Sequence, residues 1–439
     1  MTIYPKKEIK SKAPLKIPGD KSITHRAIIL GAISQGTTEI INFLDSEDCR
    51  ATIECFKKMG VGFEQSGDLL RIRGVGLHGL QKPKDILYVG NSGTTMRLLM
   101  GLLAAQKFDA VLDGDGSIRR RPMNRVAIPL QKMGANIKTR EGLAPIEIFG
   151  NSKLQGINYQ MPVLSAQVKS AVMLAALYAE GETRIMEKEA CLTRDHTELM
   201  LNFFGGDIKT NGCEITIKPV KEIYAKEIEI PSDLSSAAYF IALGLLLQGG
   251  IILKNVGLNP TRSGILDAFI SMGANIIIKN KQKIGAELVG DIEIYESRAD
   301  LRGIDIDGRL AARMIDDIPI LAVCACLARG TTIIRGAQEL ALKESNRLAV
   351  LACELQKMGA DISQTKDGLI IKGTAITTKP ATGNNAEKLK GATLNSHKDH
   401  RMAMSFAIAA SLADNPSRIS EADCINTSFP NFFNILKNI

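Results

Sequence analysis

The sequence predicts an α/β (α+β) chain of two lobes, each built from three βαβαββ repeats. Three observations carry that prediction. One pattern recurs six times: a short strand, a turn of Gly, Ser, Asp or Asn, an apolar helix, a Gly or Asn-Pro stop, and another strand. A second pattern alternates with it: a helix, then Met-Gly or Gly-Gly, then two strands around a turn. The period, roughly 70 to 85 residues, is too long for the usual solenoids.

The first pattern begins as "IPGDKSITHRAIILGAISQGTTEI" from Ile17. Its relatives start at Leu87, Tyr159, Ile228, Met314 and Leu394, the one at Met314 being loosest at its start. The turn residues are good helix N-caps and the closing glycine a good C-cap. The second pattern reads "CFKKMGVGFEQSGDLLRIRG", "IPLQKMGANIKTREGLAPIEIFG", "LNFFGGDIKTNGCEITIKP", "AFISMGANIIIKN" and "CELQKMGADISQTKDGLIIKG". The sixth unit stops at a helix, "FPNFFNILKNI", with no hairpin after it. Strand material near residues 2 to 17 is therefore expected to complete it. Residues 1–19 and 232–439 would form one lobe and 20–231 the other, with the active site in the cleft between them. Asn384-Asn385 reads as a surface loop.

Composition narrows the class. The chain has 439 residues, 45% hydrophobic and 23% charged, as in ordinary soluble proteins. The longest apolar runs, Phe240 to Leu247 and Ile318 to Ala328, are shorter than a membrane span. "MTIYPKKEIKSK" has no apolar core of a secretory signal. Eight cysteines, including Cys191, Cys324 and Cys326, are scattered and none forms C-x-x-C. That predicts a reduced, cytoplasmic protein without a metal site. A net charge of +8, with 5% aromatic residues and no Trp, favours small anionic substrates over a stacking platform for nucleic acid.

The unusual feature lies at the helix starts. Lys21, Ser22 and Arg26 crowd the first of them, although the backbone dipole disfavours cations there. Helix N-termini offer unpaired N–H groups and bind anions. The second start carries Asn91, Ser92, Gly93 and Thr94, then Arg97; the third carries Ser165, Gln167 and Lys169. The fifth has Asp316-Asp317, and the sixth has His397, Lys398, Asp399, His400 and Arg401. Loops add Arg119-Arg120-Arg121, "TRDHTE" from Thr193 and "LKESNRL" from Leu342. Singly, Ser165 or Asn91 reads as a cap, the arginine run as a solvated loop, Asp316-Asp317 as a doubled cap, and His25 and His196 as structural. Gly93 reads as a turn residue or as a place of close approach to a substrate. Together, these ends would hold more than one anionic group if they converge.

In order along the chain stand "PGDKSITHRAIIL", "GNSGTTMRLL", "RRRPM", "LSAQVKSAVMLAAL", "TRDHTE", "KESNRL", "KDHRMAM" and "TSFPNF". With these motifs the whole chain resembles the 5-enolpyruvylshikimate-3-phosphate synthase family. The resemblance implies the inside-out α/β barrel lobes of enolpyruvyl transferases and no cofactor. It implies transfer of the carboxyvinyl group of phosphoenolpyruvate to the 5-hydroxyl of shikimate 3-phosphate, in aromatic amino acid biosynthesis. It places Lys21, Ser22, Arg26, Ser165, Gln167, Arg194, Asp316 and Lys343 on shikimate 3-phosphate. It places Lys21, Asn91, Gly93, Arg121, Gln167, Arg347 and Arg401 on phosphoenolpyruvate. Lys21, Asp316 and Glu344 are the implied catalytic residues. Asp316 is taken as the base because it stands 27 residues before Lys343, the family's spacing, with Asp317 as the alternative. No nucleic acid, membrane or metal partner is implied, and a monomer is expected.

Two positions depart from the family pattern. Thr427-Ser428 precede Phe429 where many members carry a lysine, and Leu98 stands where many have proline, which bears on sensitivity to the inhibitor glyphosate. The related UDP-N-acetylglucosamine enolpyruvyl transferases usually have a reactive cysteine in the loop equivalent to "DGDGSIRRRP", and this loop has none. They also carry Asn where Ser22 follows Lys21. RNA-terminal-phosphate cyclases have related repeats, but the scarcity of aromatic residues and the presence of Asp316 with Lys343-Glu344 weigh against a nucleic-acid binder.

Overall fold

The computed structural model describes the chain apart from residues 12, 151–152, 163, 190–192 and 374–388. Cys191 and the Asn384-Asn385 loop lie outside the described residues. Contacts divide the chain into two compact units. One is residues 1–17, 232–282 and 288–439; the other is 18–231 with 283–287.

In the unit formed by 18–231, three helices are buried on almost every face: Lys21–Ala32, Gly93–Leu103 and Ala166–Ala176. A helix that is apolar all round has no side to offer water, so it becomes the core. Close approach needs small residues. A Cβ on Gly101 would stand 2.0 Å from the carbonyl oxygen of Ala171 on the neighbouring helix. Amphipathic helices cover this centre. In Glu47–Lys58 the buried Cys49, Thr52, Ile53 and Phe56 follow helical spacing, with acids in the first turn and lysines in the last.

In this unit each repeat carries a four-stranded sheet with one pattern of neighbours, whereas in the other unit, among the described residues, one sheet has four strands and two have three. In one, Asn158–Gln160 runs parallel to Thr183–Met186, which pairs antiparallel with Glu214–Lys218, whose hairpin partner is Asp207–Asn211. The Met-Gly and Gly-Gly junctions end the covering helices. Gly60, Gly134, Gly205, Gly273 and Gly359 all sit at φ between 85° and 100°, the left-handed region open to glycine.

The other unit repeats this plan around the buried helices Leu234–Leu246, Ile318–Leu327 and His400–Ser411. Tyr239, Phe240, Phe429 and Phe432 pack edge to face beside them. Thr2–Ile3 pairs antiparallel with Ser417–Ser420, which runs parallel to Thr393–Asn395. Among the described residues, no helix is long and apolar enough to cross a membrane.

One strand and one isolated bridge break the contiguous grammar read from the sequence. Glu227–Glu229, expected to lead the fourth repeat, pairs in parallel with Gln35–Ile41 of the first. Leu15, just ahead of the first repeat, bridges Leu253 of the fourth. The chain passes from one compact unit to the other after Ile17 and after Pro231. A strand finishing just before such a passage is still hydrogen-bonded within the unit it leaves.

Candidate active site

In the 18–231 unit, the first helix solves its cation problem with its cap. Asp20 Oδ1 accepts from the Ile23 N–H at 2.9 Å, which satisfies one orphan donor and sets a negative charge beside Lys21. Lys21 Nζ reaches Asp48 Oδ2 at 2.9 Å, at the start of the Glu47–Lys58 helix.

Arg26 lies one turn deeper and is buried. Its Nε donates to Thr197 Oγ1 at 2.7 Å, and its terminal nitrogens donate to Ser170 Oγ at 2.8 Å and the Ser22 carbonyl at 2.9 Å. Burial pushes this guanidinium down to about 10, against the opposing pull of Glu198. Arg194 donates to Ser22 Oγ at 3.3 Å. Ser165 caps its helix through the Val168 N–H. Lys169 is fully buried between Glu198 at 2.7 Å and Glu187 at 3.3 Å. Burial alone would lower Lys169, but the two carboxylates outweigh it and keep it charged. Burial raises the Glu198 carboxyl.

Ser92, not Asn91, caps the Gly93–Leu103 helix. Asn91 instead accepts from Arg121 at 2.8 Å and donates to Asp115 at 3.1 Å. Gln167 accepts from Arg97 and donates to Thr94 at 3.0 Å. Gly93 sits under the arginine: a Cβ there would lie 2.8 Å from a terminal nitrogen of Arg121. Arg26 and Arg194 thus both bond Ser22, Arg121 bonds Asn91 beside Gly93, and Gln167 belongs to the helix that Ser165 caps.

The other unit brings its expected residues together around Arg347. This buried guanidinium donates to Asp399 at 2.9 and 3.2 Å, to Asp316 at 3.2 Å and to Glu344 at 2.6 Å. Lys343 Nζ also reaches Asp316, at 3.1 Å. Burial acts to lower Arg347, yet Asp399, Glu344 and Asp316 hold it above the usual arginine value. Arg401 is buried, with Asp317 at 3.7 Å. Burial pushes the neighbouring Tyr239 hydroxyl up to about 12, although Arg401 opposes this.

The two aspartates differ. Asp316 keeps a partly exposed side chain, whereas Asp317 is buried and its carboxyl is raised by burial. Asp317 occupies the N-cap position of Ile318–Leu327 but makes no side-chain cap bond. Of the departures, Leu98 is fully buried and Thr427 Oγ1 donates to the Cys424 carbonyl at 2.8 Å.

Sequence reading missed several partners: Asp48 for Lys21, Thr197 and Ser170 for Arg26, and the buried Arg262–Asp233 pair at 2.7 Å with Ser235. Thr197 lies inside "TRDHTE", and Asp233 caps the fourth buried helix, so both carried a signal. Asp48 carried none beyond an acid in a first helical turn.

Comparison with known proteins identifies the family. The family model described as EPSP synthase (3-phosphoshikimate 1-carboxyvinyltransferase) matches residues 5–436. The 3-phosphoshikimate 1-carboxyvinyltransferase of Thermoanaerobacter sp. (strain X514) is 48% identical over 435 residues, 99% of each chain. That of Listeria innocua is 45% identical, covering 97% of this chain and 96% of its own. The solved structure of EPSP synthase from Acinetobacter baumannii matches with a TM-score of 0.85 at 42% identity, over 99% of this chain and 97% of that one. The enolpyruvyl transferase NikO from Streptomyces tendae shares the fold, with a TM-score of 0.78 at 14% identity, over 99% of this chain and 96% of that one. The chain belongs to the EPSP synthase family.

Proposed function

We propose that both sets of side chains serve one reaction: transfer of the enolpyruvyl group of phosphoenolpyruvate to the 5-hydroxyl of shikimate 3-phosphate, with release of phosphate. Family membership across the whole chain supports the reaction. The division of labour rests on one observation: Arg347 is bonded at once to Asp316, Glu344 and Asp399. A guanidinium so held is rigid and planar, suited to a phosphate or carboxylate. It also keeps two carboxylates beside the donor that it would clamp.

The reaction runs by addition and elimination. Asp316 takes the proton of the 5-hydroxyl as its oxygen attacks C2 of phosphoenolpyruvate, while C3 gains a proton through Glu344. The adduct then loses phosphate and a C3 proton, which restores the double bond. Lys21 stabilises charge on the transferred unit. Ser22, Arg26, Ser165, Gln167, Arg194 and Lys343 bind shikimate 3-phosphate. Asn91, Gly93, Arg121, Arg347 and Arg401, with Lys21 and Gln167, receive phosphoenolpyruvate. The protein acts in the cytoplasm and as a monomer, the monomer being supported by the separate hydrophobic core that each compact unit closes for itself.

The test is phosphate release from phosphoenolpyruvate by the purified chain, with shikimate 3-phosphate or UDP-N-acetylglucosamine as acceptor. Release with shikimate 3-phosphate alone is expected. Release with the nucleotide sugar alone would overturn the acceptor, and release with neither would overturn the reaction.

A further inference from the structure

A line of buried hydroxyls runs through the 18–231 unit and ends on a histidine that the proposed reaction does not use. His25 Nδ1 lies 2.8 Å from Thr52 Oγ1, which lies 2.7 Å from Thr95 Oγ1, which donates to Ser92 Oγ at 2.7 Å. All four residues are completely buried. They join three helices, Lys21–Ala32, Glu47–Lys58 and Gly93–Leu103. His25 stands one turn beyond Lys21, and Thr52 one turn beyond Asp48. The first two helices are therefore linked by two rungs: the outer one is Lys21–Asp48 and the inner one His25–Thr52. The inner rung continues to the cap of the helix that opens with Gly93.

The direction of each bond follows from counting protons. A hydroxyl has one proton to give. Thr95 gives its own to Ser92, so Thr52 gives its own to Thr95. Thr52 then has only a lone pair for His25, and Nδ1 must carry the hydrogen. At the far side of the ring, Nε2 is buried with no hydrogen-bond partner. A proton there would be an unsatisfied buried donor, and Nδ1 would then face a Thr52 lone pair with no hydrogen between them. The same conclusion is supported by burial and the nearby Lys21 and Arg26, which push His25 well below the ordinary histidine value.

We propose that His25, as the neutral Nδ1–H tautomer, is a positioning residue: through Thr52, Thr95 and Ser92 it fixes the Gly93 turn relative to Lys21. The proposal rests on the reading of Lys21 and Gly93 as phosphoenolpyruvate contacts. A Thr or Ser hydroxyl elsewhere in a helix bonds its own backbone and needs no partner helix. Here the bonds leave the helix and end at a functional turn. Small displacements at such a turn are costly, since misplacement by about 1 Å can lower a rate by about 100-fold.

Two measurements test it, one independent of activity. Nitrogen NMR of histidine-labelled protein reads the tautomer, with the His25 signals identified by their loss in His25→Asn. The expected result is a protonated Nδ1 and bare Nε2, without titration between about pH 5 and 8. A protonated Nε2, or titration in that range, would overturn the proposal whatever the enzyme's reaction. Kinetics of Thr52→Val and His25→Leu then read function. Each should raise KM for phosphoenolpyruvate about tenfold, with KM for shikimate 3-phosphate nearly unchanged. His25→Asn, whose amide N–H sits near the Nδ1 position, should recover most of the loss. Equal losses for both substrates, no loss at all, or no recovery in a folded His25→Asn would overturn the positioning role. Wild-type protein that fails to use shikimate 3-phosphate would instead overturn the reaction while leaving the tautomer result standing.

Discussion

Arg26 and Arg347 are both buried arginines near the start of site helices, and they are stabilised in opposite ways. Arg26 is held by the hydroxyls of Thr197 and Ser170 and the carbonyl of Ser22. Arg347 is held by the carboxylates of Asp399, Asp316 and Glu344. Neutral oxygens orient a guanidinium but do not cancel its charge, so burial pushes Arg26 down to about 10. Three carboxylates more than cancel it, so Arg347 is raised despite its burial. The first arrangement leaves positive charge to be met by a substrate anion. The second spends its charge internally and leaves carboxylates placed for proton transfer. On the proposed reading, Arg26 is left to meet a substrate anion, while Arg347 meets one and also fixes the carboxylates beside it.

Removing the half-buried Lys21 from the cationic set should have the largest effect. Lys21→Met keeps the length of the side chain and deletes its charge. The expected fall in kcat is about 1,000-fold, the scale of losing one donor to developing charge. Steady-state phosphate release checks it, and a change confined to KM would remove Lys21 from the chemical step. Next comes the carboxylate set. Asp316→Asn should lower kcat by about 100- to 1,000-fold, as befits a lost general base. Asp317→Asn should lower it far less. The reverse ranking would transfer the base to Asp317 and break the proposed division, because the buried carboxylate would then be the reactive one.

Much of this contrast was legible in the sequence. Five of the six helix starts stood out because helices apolar on all faces have polar groups only at their ends. Lys343, Glu344 and Arg347 came from one short motif and Asp316 from its spacing to Lys343, and they meet in one network; Arg401, from another motif, stands beside Asp317. What escaped was whatever depends on a second helix. Asp48 and Thr52 sit in an ordinary amphipathic pattern, and only packing brings them to Lys21 and His25. The strand exchange escaped because hydrophobic alternation tells which residues form a strand and not which sheet receives it. Glu227–Glu229 reads the same whether it pairs with the first repeat or the fourth.

Gly93 sharpens the contrast with a smaller change. The methyl of Gly93→Ala would start 2.8 Å from a terminal nitrogen of Arg121, so that arginine must shift. Phosphoenolpyruvate should bind about tenfold more weakly, or about 1.4 kcal/mol, while shikimate 3-phosphate affinity holds. Isothermal titration with each substrate separates the two. Equal weakening of both would mean that the turn serves the whole cationic set rather than the donor alone.

The smallest expected effect concerns stability and comes from Asp317. Burial raises its carboxyl in the folded state, with Arg401 and Arg262 only partly opposing this and Asp316 adding to it. A group raised on folding binds its proton more tightly in the native protein than in the unfolded chain. Its contribution is therefore complete below the ordinary aspartate value of about 4 and fades as pH climbs through the raised value. Asp317→Asn mimics the protonated carboxyl and cannot ionise. Its melting temperature should match that of the wild type at about pH 4 and exceed it by about 2–4 °C per kcal/mol near neutrality. Differential scanning calorimetry from about pH 4 to 8 measures the gap. The opposite slope, with the variant falling behind as pH rises, would mean that Arg401 and Arg262 hold Asp317 ionised. Asp317 would then resemble the carboxylates around Arg347, held charged by the arginines beside it.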